Sequence, residues 1–97
     1  MNLRTVIVGN NHRPLEAQQR YRELTKDESL TLVRDPGNSW DSNAIEVHTE
    51  DGVHIGFIPK TMNAELAAAL DDDRQFTATY DPDIDRLFVE EIADEAA

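Results

Sequence analysis

Hydrophobic residues fall along this chain in short runs separated by polar turns. Leu3-Arg4-Thr5-Val6-Ile7-Val8 is β-branched and apolar and stops at Gly9-Asn10-Asn11, which predicts a first strand. Ser29 to Val33 predicts a second. Ala44 to Thr49 alternates, with Ile45 and Val47 on one face, as a half-buried third strand should. Val53, Ile55 and Phe57 form the expected inward face of a fourth, which Pro59 ends. Gln75 to Tyr80, with Phe76, Ala78 and Tyr80 inward, predicts a fifth, and Leu87 to Ile92 a sixth, joined by a turn at Asp81-Pro82-Asp83-Ile84-Asp85.

Helical patterning appears in two places. Met62, Leu66, Ala67, Ala69 and Leu70 give one side of a helix from about Met62 to Leu70, with Thr61 or Asn63 as its cap and Glu65 in its first turn. Asp71-Asp72-Asp73 ends it, since the helix dipole disfavours acids there. Pro14 can sit at the first position of another helix reaching Leu24. There only Leu15, Ala17, Tyr21 and Leu24 are apolar, so it is an exposed, marginal helix or a loop. Six short strands with one or two helices predict a β-rich (all-β or α+β) fold, a small closed or nearly closed barrel.

Glu50-Asp51-Gly52 joins strands three and four. A two-residue loop would put the apolar sets on opposite faces. A three-residue loop with Gly52 left-handed keeps them together, pairs Val47 with Ile55 and sets His48 opposite His54. Gly56 marks a bulge or a close backbone approach.

The most informative stretch is the polar loop from Arg34 to Ile45. Pro36-Gly37 stops the second strand, Pro36 by lacking an N–H and Gly37 by opening backbone space closed to other residues. Asn38, Asp41 and Asn43 can hydrogen-bond nearby backbone N–H groups, so the loop can be rigid without burial. Trp40, the single Trp, lies between Ser39 and Asp41. It is either a plug over the core, which average Trp burial favours, or a stacking platform.

Ninety-seven residues make one domain over 1–97, with 93–97 a fraying tail. Without cysteine there is no disulfide, and the initial apolar run is too short for a signal peptide or a membrane span. A cytoplasmic location is expected. The net charge of −11 is uneven: residues 1–60 carry nine acids against seven bases, residues 61–97 eleven against two. So few bases argue against tight non-specific binding to nucleic acid.

Catalysis is not expected. Ser29, Ser39 and Ser42 have no evident His and carboxylate set beside them. His48 and His54 could offer two ligands to a metal, but no third is evident, so they are read as surface residues and no metal or cofactor is expected. Asp81, Asp83 and Asp85 imitate a calcium loop, yet Arg86 and Ile92 stand where such a loop needs Gly and Glu, so a turn is expected.

Arg34-Asp35-Pro36-x-Asn38-x-Trp40-Asp41-x-Asn43-Ala44-Ile45-x-Val47, followed by Gly52 and Ile55-Gly56-Phe57-Ile58-Pro59-Lys60, resembles the HIRAN domain over roughly residues 3 to 80. The resemblance implies an OB-like barrel with flanking helices, and a non-catalytic module taking the 3′ end of single-stranded DNA into a pocket. On that reading Trp40 stacks on a base, Asn38 and Asp41 read polar edges and the terminal hydroxyl, Phe57 completes the site, and Lys60 meets a phosphate. Arg13 stands one or two positions late of the family's Arg-Tyr pair as its counterpart. Pro36, Gly37 and Asn43 shape the loop. The charge supports a second reading: an acidic DNA mimic that occupies a basic nucleic-acid-binding protein, of the anti-restriction or anti-CRISPR type. Its candidate carboxylates are Asp71, Asp72, Asp73, Asp81, Asp83, Asp85, Glu90 and Glu91.

Overall fold

The six strands pair antiparallel in one curled sheet, in the order β1-β6-β5-β2-β3-β4. In this computed structural model, which describes residues 1–93, they are β1 (Asn2–Thr5), β2 (Glu28–Arg34), β3 (Ile45–Thr49), β4 (His54–Phe57), β5 (Phe76–Asp81) and β6 (Arg86–Glu91). A single 3-10 turn (Asn10–His12) and α1 (Leu15–Arg22) precede β2, and α2 (Asn63–Asp71) precedes β5. The expected tail from 93 onward lies, past Ala93, outside the described residues.

The core follows from strand alternation. Leu30, Ile45, Val47, Ala78, Tyr80, Leu87 and Val89 point inward, and Ile7, Leu24, Ile55, Ile58, Leu66 and Ala67 complete the cluster. The expected barrel is present in nearly closed form. β1 ends at Thr5, three residues earlier than its apolar run suggests. The chain then crosses to the far edge, where Val8 N–H donates to the Phe57 carbonyl at 2.9 Å and Phe57 N–H donates to that of Val8 at 2.8 Å. Gly56 allows this approach: a Cβ there would sit 2.6 Å from both Ile7 Cγ2 and the Val8 oxygen. Asn10 Nδ2 and Arg13 Nε donate to the carbonyls of Ile55 and His54, so the edge strand β4 is covered instead of left open.

The β3–β4 hairpin has the expected three-residue loop. Gly52 is left-handed at φ 88°, and Thr49 N–H donates to Val53 at 3.0 Å. His48 pairs with His54, as expected. The Val47–Ile55 pair does not form, because a bulge shifts the register and Val47 pairs with Gly56. Ile55 remains fully buried as the extra residue. Phe57 now pairs with Glu46 and shares its outward face, so the expectation that Phe57 faces the core is overturned, and Ile58 takes the inward place.

Smaller details of the turns and helices follow from local causes. Gly37 is not in a left-handed conformation and has open space around it, so the turn from Asp35 to Asn38 needs Pro36 at its second position more than it needs a glycine. Of the two alternatives for the segment after Pro14, the exposed, marginal helix is the one present, with Ala17 as its buried residue. Pro14 stands just before that helix as its N-cap. Met62, not Thr61 or Asn63, holds the N-cap of α2 and makes no side-chain cap bond.

Candidate nucleic-acid interface

The loop between β2 and β3 is braced by its own short side chains. Asn38 Oδ1 accepts from the N–H groups of Trp40 at 2.9 Å and Asp41 at 3.1 Å, and its Nδ2 donates to Asp35. Asp41 Oδ1 accepts from Asn43 N–H at 2.9 Å. Such bonds fix a polar loop without burying it. Two residues from outside the loop add to this. Buried Asn63, in the first turn of α2, donates to Asp41 Oδ2 at 2.7 Å. Arg34 donates to the carbonyls of Ala44 at 2.6 Å and Ser42 at 3.0 Å, and its Nε reaches Asp71 at 2.9 Å. The Asn63 bond, then the Asn43 N–H, hold the Asp41 carboxyl below the usual aspartate range, so it is ionised at neutral pH.

Beside this loop lies a cleft of about 420 Å³, lined by Val8, Asn38, Trp40, Asp41, Ala44, Phe57, Ile58 and Lys60. Trp40 is 89% exposed, so it is no plug over the core, because bonds around Asn38 hold its backbone outward. Phe57, turned outward by the bulge, forms part of the wall, and His54 packs edge-on against it at 4.8 Å. Lys60 supplies a cation at the rim. The cleft thus joins an apolar floor, an exposed indole, a fixed carboxylate and a single lysine.

The model of the HIRAN domain family matches residues 1–90 of the chain. The chain belongs to the HIRAN domain family. Its fold is similar to the crystal structure of the HIRAN domain of human HLTF, with a TM-score of 0.78, 23% identity, and coverage of 98% of this chain and 78% of that one. The NMR structure of the HLTF HIRAN domain in its DNA-bound conformation aligns with a TM-score of 0.68 at 24% identity, over 98% of this chain and 77% of that one. A protein from Lactobacillus plantarum aligns with a TM-score of 0.73 at 20% identity, over 94% and 95% of the two chains. In sequence, rabbit (Oryctolagus cuniculus) helicase-like transcription factor is 35% identical over 48 residues, which are 50% of this chain and 5% of that protein.

Of the six residues the HIRAN resemblance nominates, Asn38, Trp40, Asp41, Phe57 and Lys60 line the cleft together. Arg13 does not line it; its guanidinium is bonded to the His54 carbonyl. Sequence reasoning missed the walls Val8, Ala44 and Ile58, the Arg34 clamp, and the Asn63–Asp41 bond. Arg34 opens the family motif, which was a usable signal. Asn63 reads in sequence only as a possible cap, and no local pattern shows that it reaches 22 residues back. The structure also supplies the third ligand type that the His48–His54 pair lacked, since Glu46 lies beside both rings.

Proposed function

We propose that this chain is a non-catalytic module that binds single-stranded DNA and takes a 3′ end into the cleft beside Trp40. The single observation that carries this reading is an indole 89% exposed on a loop braced by the Asn38 and Asp41 side chains on either side of it, standing over an apolar cleft. Leaving a Trp in water contributes nothing to the fold, whereas stacking on a base is worth about 1–3 kcal/mol and tolerates any sequence. Asp41, ionised and fixed, accepts a hydrogen bond from a terminal hydroxyl and repels a phosphate, which is the discrimination an end-reader needs. Membership of the HIRAN family and the likeness to a HIRAN domain in a DNA-bound conformation support DNA as the ligand.

The net charge of −11 favours a second reading, an acidic mimic that occupies a basic nucleic-acid-binding protein. Against it, four of its eight candidate carboxylates are already engaged. Asp71 pairs with Arg34, Glu91 with Arg74 and the terminal amine, Asp85 accepts from Tyr21 and Tyr80, and Asp81 accepts from Asp83 N–H. Titrating labelled single strands with free and with blocked 3′ ends, at low and moderate salt, separates the two. The end-reader binds the free end more tightly. Equal binding of both ends overturns the end preference, and no binding at low salt overturns DNA as the ligand.

A further inference from the structure

One cluster of side chains lies outside the cleft and has no part in the function proposed above. Alternation along β3 puts Glu46 and His48 on the outward face, and the three-residue hairpin brings His54 opposite His48. Glu46 Oε1 lies 2.7 Å from His48 Nε2 and 3.5 Å from His54 Nδ1, and one ligand atom from each residue falls within 4.8 Å of the others. The two imidazoles are nearly parallel, 6° apart in plane with centroids 5.1 Å apart. His54 Nε2 is 3.0 Å from the Gly56 carbonyl. The proton therefore sits on Nε2 and the lone pair of Nδ1 faces Glu46, the outer bond that orients histidines in metal sites.

We propose that Glu46, His48 and His54 bind one divalent late first-row transition-metal ion, of which Zn²⁺ is the representative. Two imidazoles and a carboxylate suit such an ion, whereas Mg²⁺ and Ca²⁺ ask for oxygen ligands. Zinc bonds of about 2.0–2.2 Å place tetrahedral ligands roughly 3.3–3.5 Å apart. The Glu46–His54 separation of 3.5 Å meets this, the Glu46–His48 hydrogen bond of 2.7 Å lengthens to it by a turn of the carboxylate, and the two imidazoles, whose ligand atoms lie within 4.8 Å, reach it by side-chain rotation. All three side chains keep 14–24% of their surface in solvent, so an ion can reach them. Three protein ligands leave a fourth position to water. Arg13, a cation near His54, has its Nε held on the His54 carbonyl. The ion joins β3 to β4 across the bulge and fixes His54 against Phe57, a wall of the cleft.

The test uses the full chain without a histidine tag, stripped of metal and titrated near neutral pH with zinc chloride by calorimetry. Imidazole NMR signals are followed in parallel, and magnesium chloride serves as the control. The expected result is one Zn²⁺ per chain at micromolar affinity or tighter, shifts at His48 and His54, and no response to Mg²⁺. Glu46→Gln and His48→Gln, both partly exposed and checked for folding by circular dichroism, should each weaken binding by roughly tenfold or more, since losing even an outer partner of a ligand costs that much. Absence of zinc binding by the wild-type chain overturns the proposal. So does binding that both variants retain unchanged, which would place the ion on His12 or on the acids of residues 61–97.

Discussion

Asn63 reaches from the first turn of α2 to Asp41 in the β2–β3 loop, and their 2.7 Å bond ties the helix to the cleft. Asn63 is 2% exposed, so its amide has no water to turn to. Asn63→Ala should lower the midpoint of chemical denaturation, because it removes the hydrogen bond of a buried amide to a carboxylate. It should also let the Asp41 carboxyl rise toward the ordinary aspartate range, because its largest cause of depression is gone. The sign follows from the lowered folded value. The stabilisation is present above the unfolded pKa and is lost as pH falls through the folded one. Carboxyl NMR titration of wild type and Asn63→Ala checks both points, and an unshifted Asp41 in the variant would show that Asn63 is not the cause.

Trp40→Ala separates folding from binding. At 89% exposure the ring contributes little to the fold, and surface changes usually fall within about 0.5 kcal/mol, so the melting temperature should hardly move. If the ring stacks on a base, single-strand affinity should fall by roughly tenfold or more. Fluorescence anisotropy on both proteins decides it, and unchanged affinity would remove Trp40 from the site.

Salt dependence tests how the strand is held. Among the described residues, Lys60 is the one basic side chain lining the cleft, while Arg34 and Arg20 are bonded to carboxylates. About one to three phosphates should be neutralised, with log affinity falling by roughly 0.7 per phosphate against log salt. A slope equivalent to about six or more phosphates would mean the strand runs along a surface elsewhere.

The strands were legible because burial on one face writes itself into every second residue, as with Leu87 and Val89 or Ala78 and Tyr80. What failed to show was whatever depends on a non-local partner. A single extra residue at Ile55 reversed the face of Phe57, and nothing in the alternation of Val53, Ile55 and Phe57 announces it. Trp40 defied its average burial because Asn38, two residues away, takes its backbone N–H and sets the loop. The motif contains seven of the cleft's lining residues, five of them nominated as site residues, but Asn63 and Val8 enter through tertiary contacts that their neighbours in sequence do not encode. Glu46 was visible in principle, two residues before His48 on an alternating strand.

The acidic run at the end of α2 divides into two kinds of residue, and the last prediction rests on that division. Asp71 bonds Arg34, which also holds the carbonyls of Ala44 and Ser42 at the base of the cleft loop. Asp71→Asn should therefore loosen the loop and weaken DNA binding, modestly, since a solvent-facing pair contributes at most about 1 kcal/mol. Asp72 and Asp73 are exposed just past the end of α2. Their charges face water and act on the cleft through solvent, where 0.1 M salt screens over about 10 Å. Asp73 is left-handed at φ 59°, a conformation Asn accepts, so Asp72→Asn/Asp73→Asn should fold normally. Its DNA affinity should be equal at moderate salt and slightly higher at low salt, where repulsion of phosphate reaches the cleft. An acidic mimic behaves in the opposite way: it ignores DNA, and the double change weakens its hold on a basic partner. Binding of single strands to the two variants at two salt concentrations tells these apart. Loss of DNA binding in the folded double variant would defeat the end-reader, because no contact to the cleft would explain it.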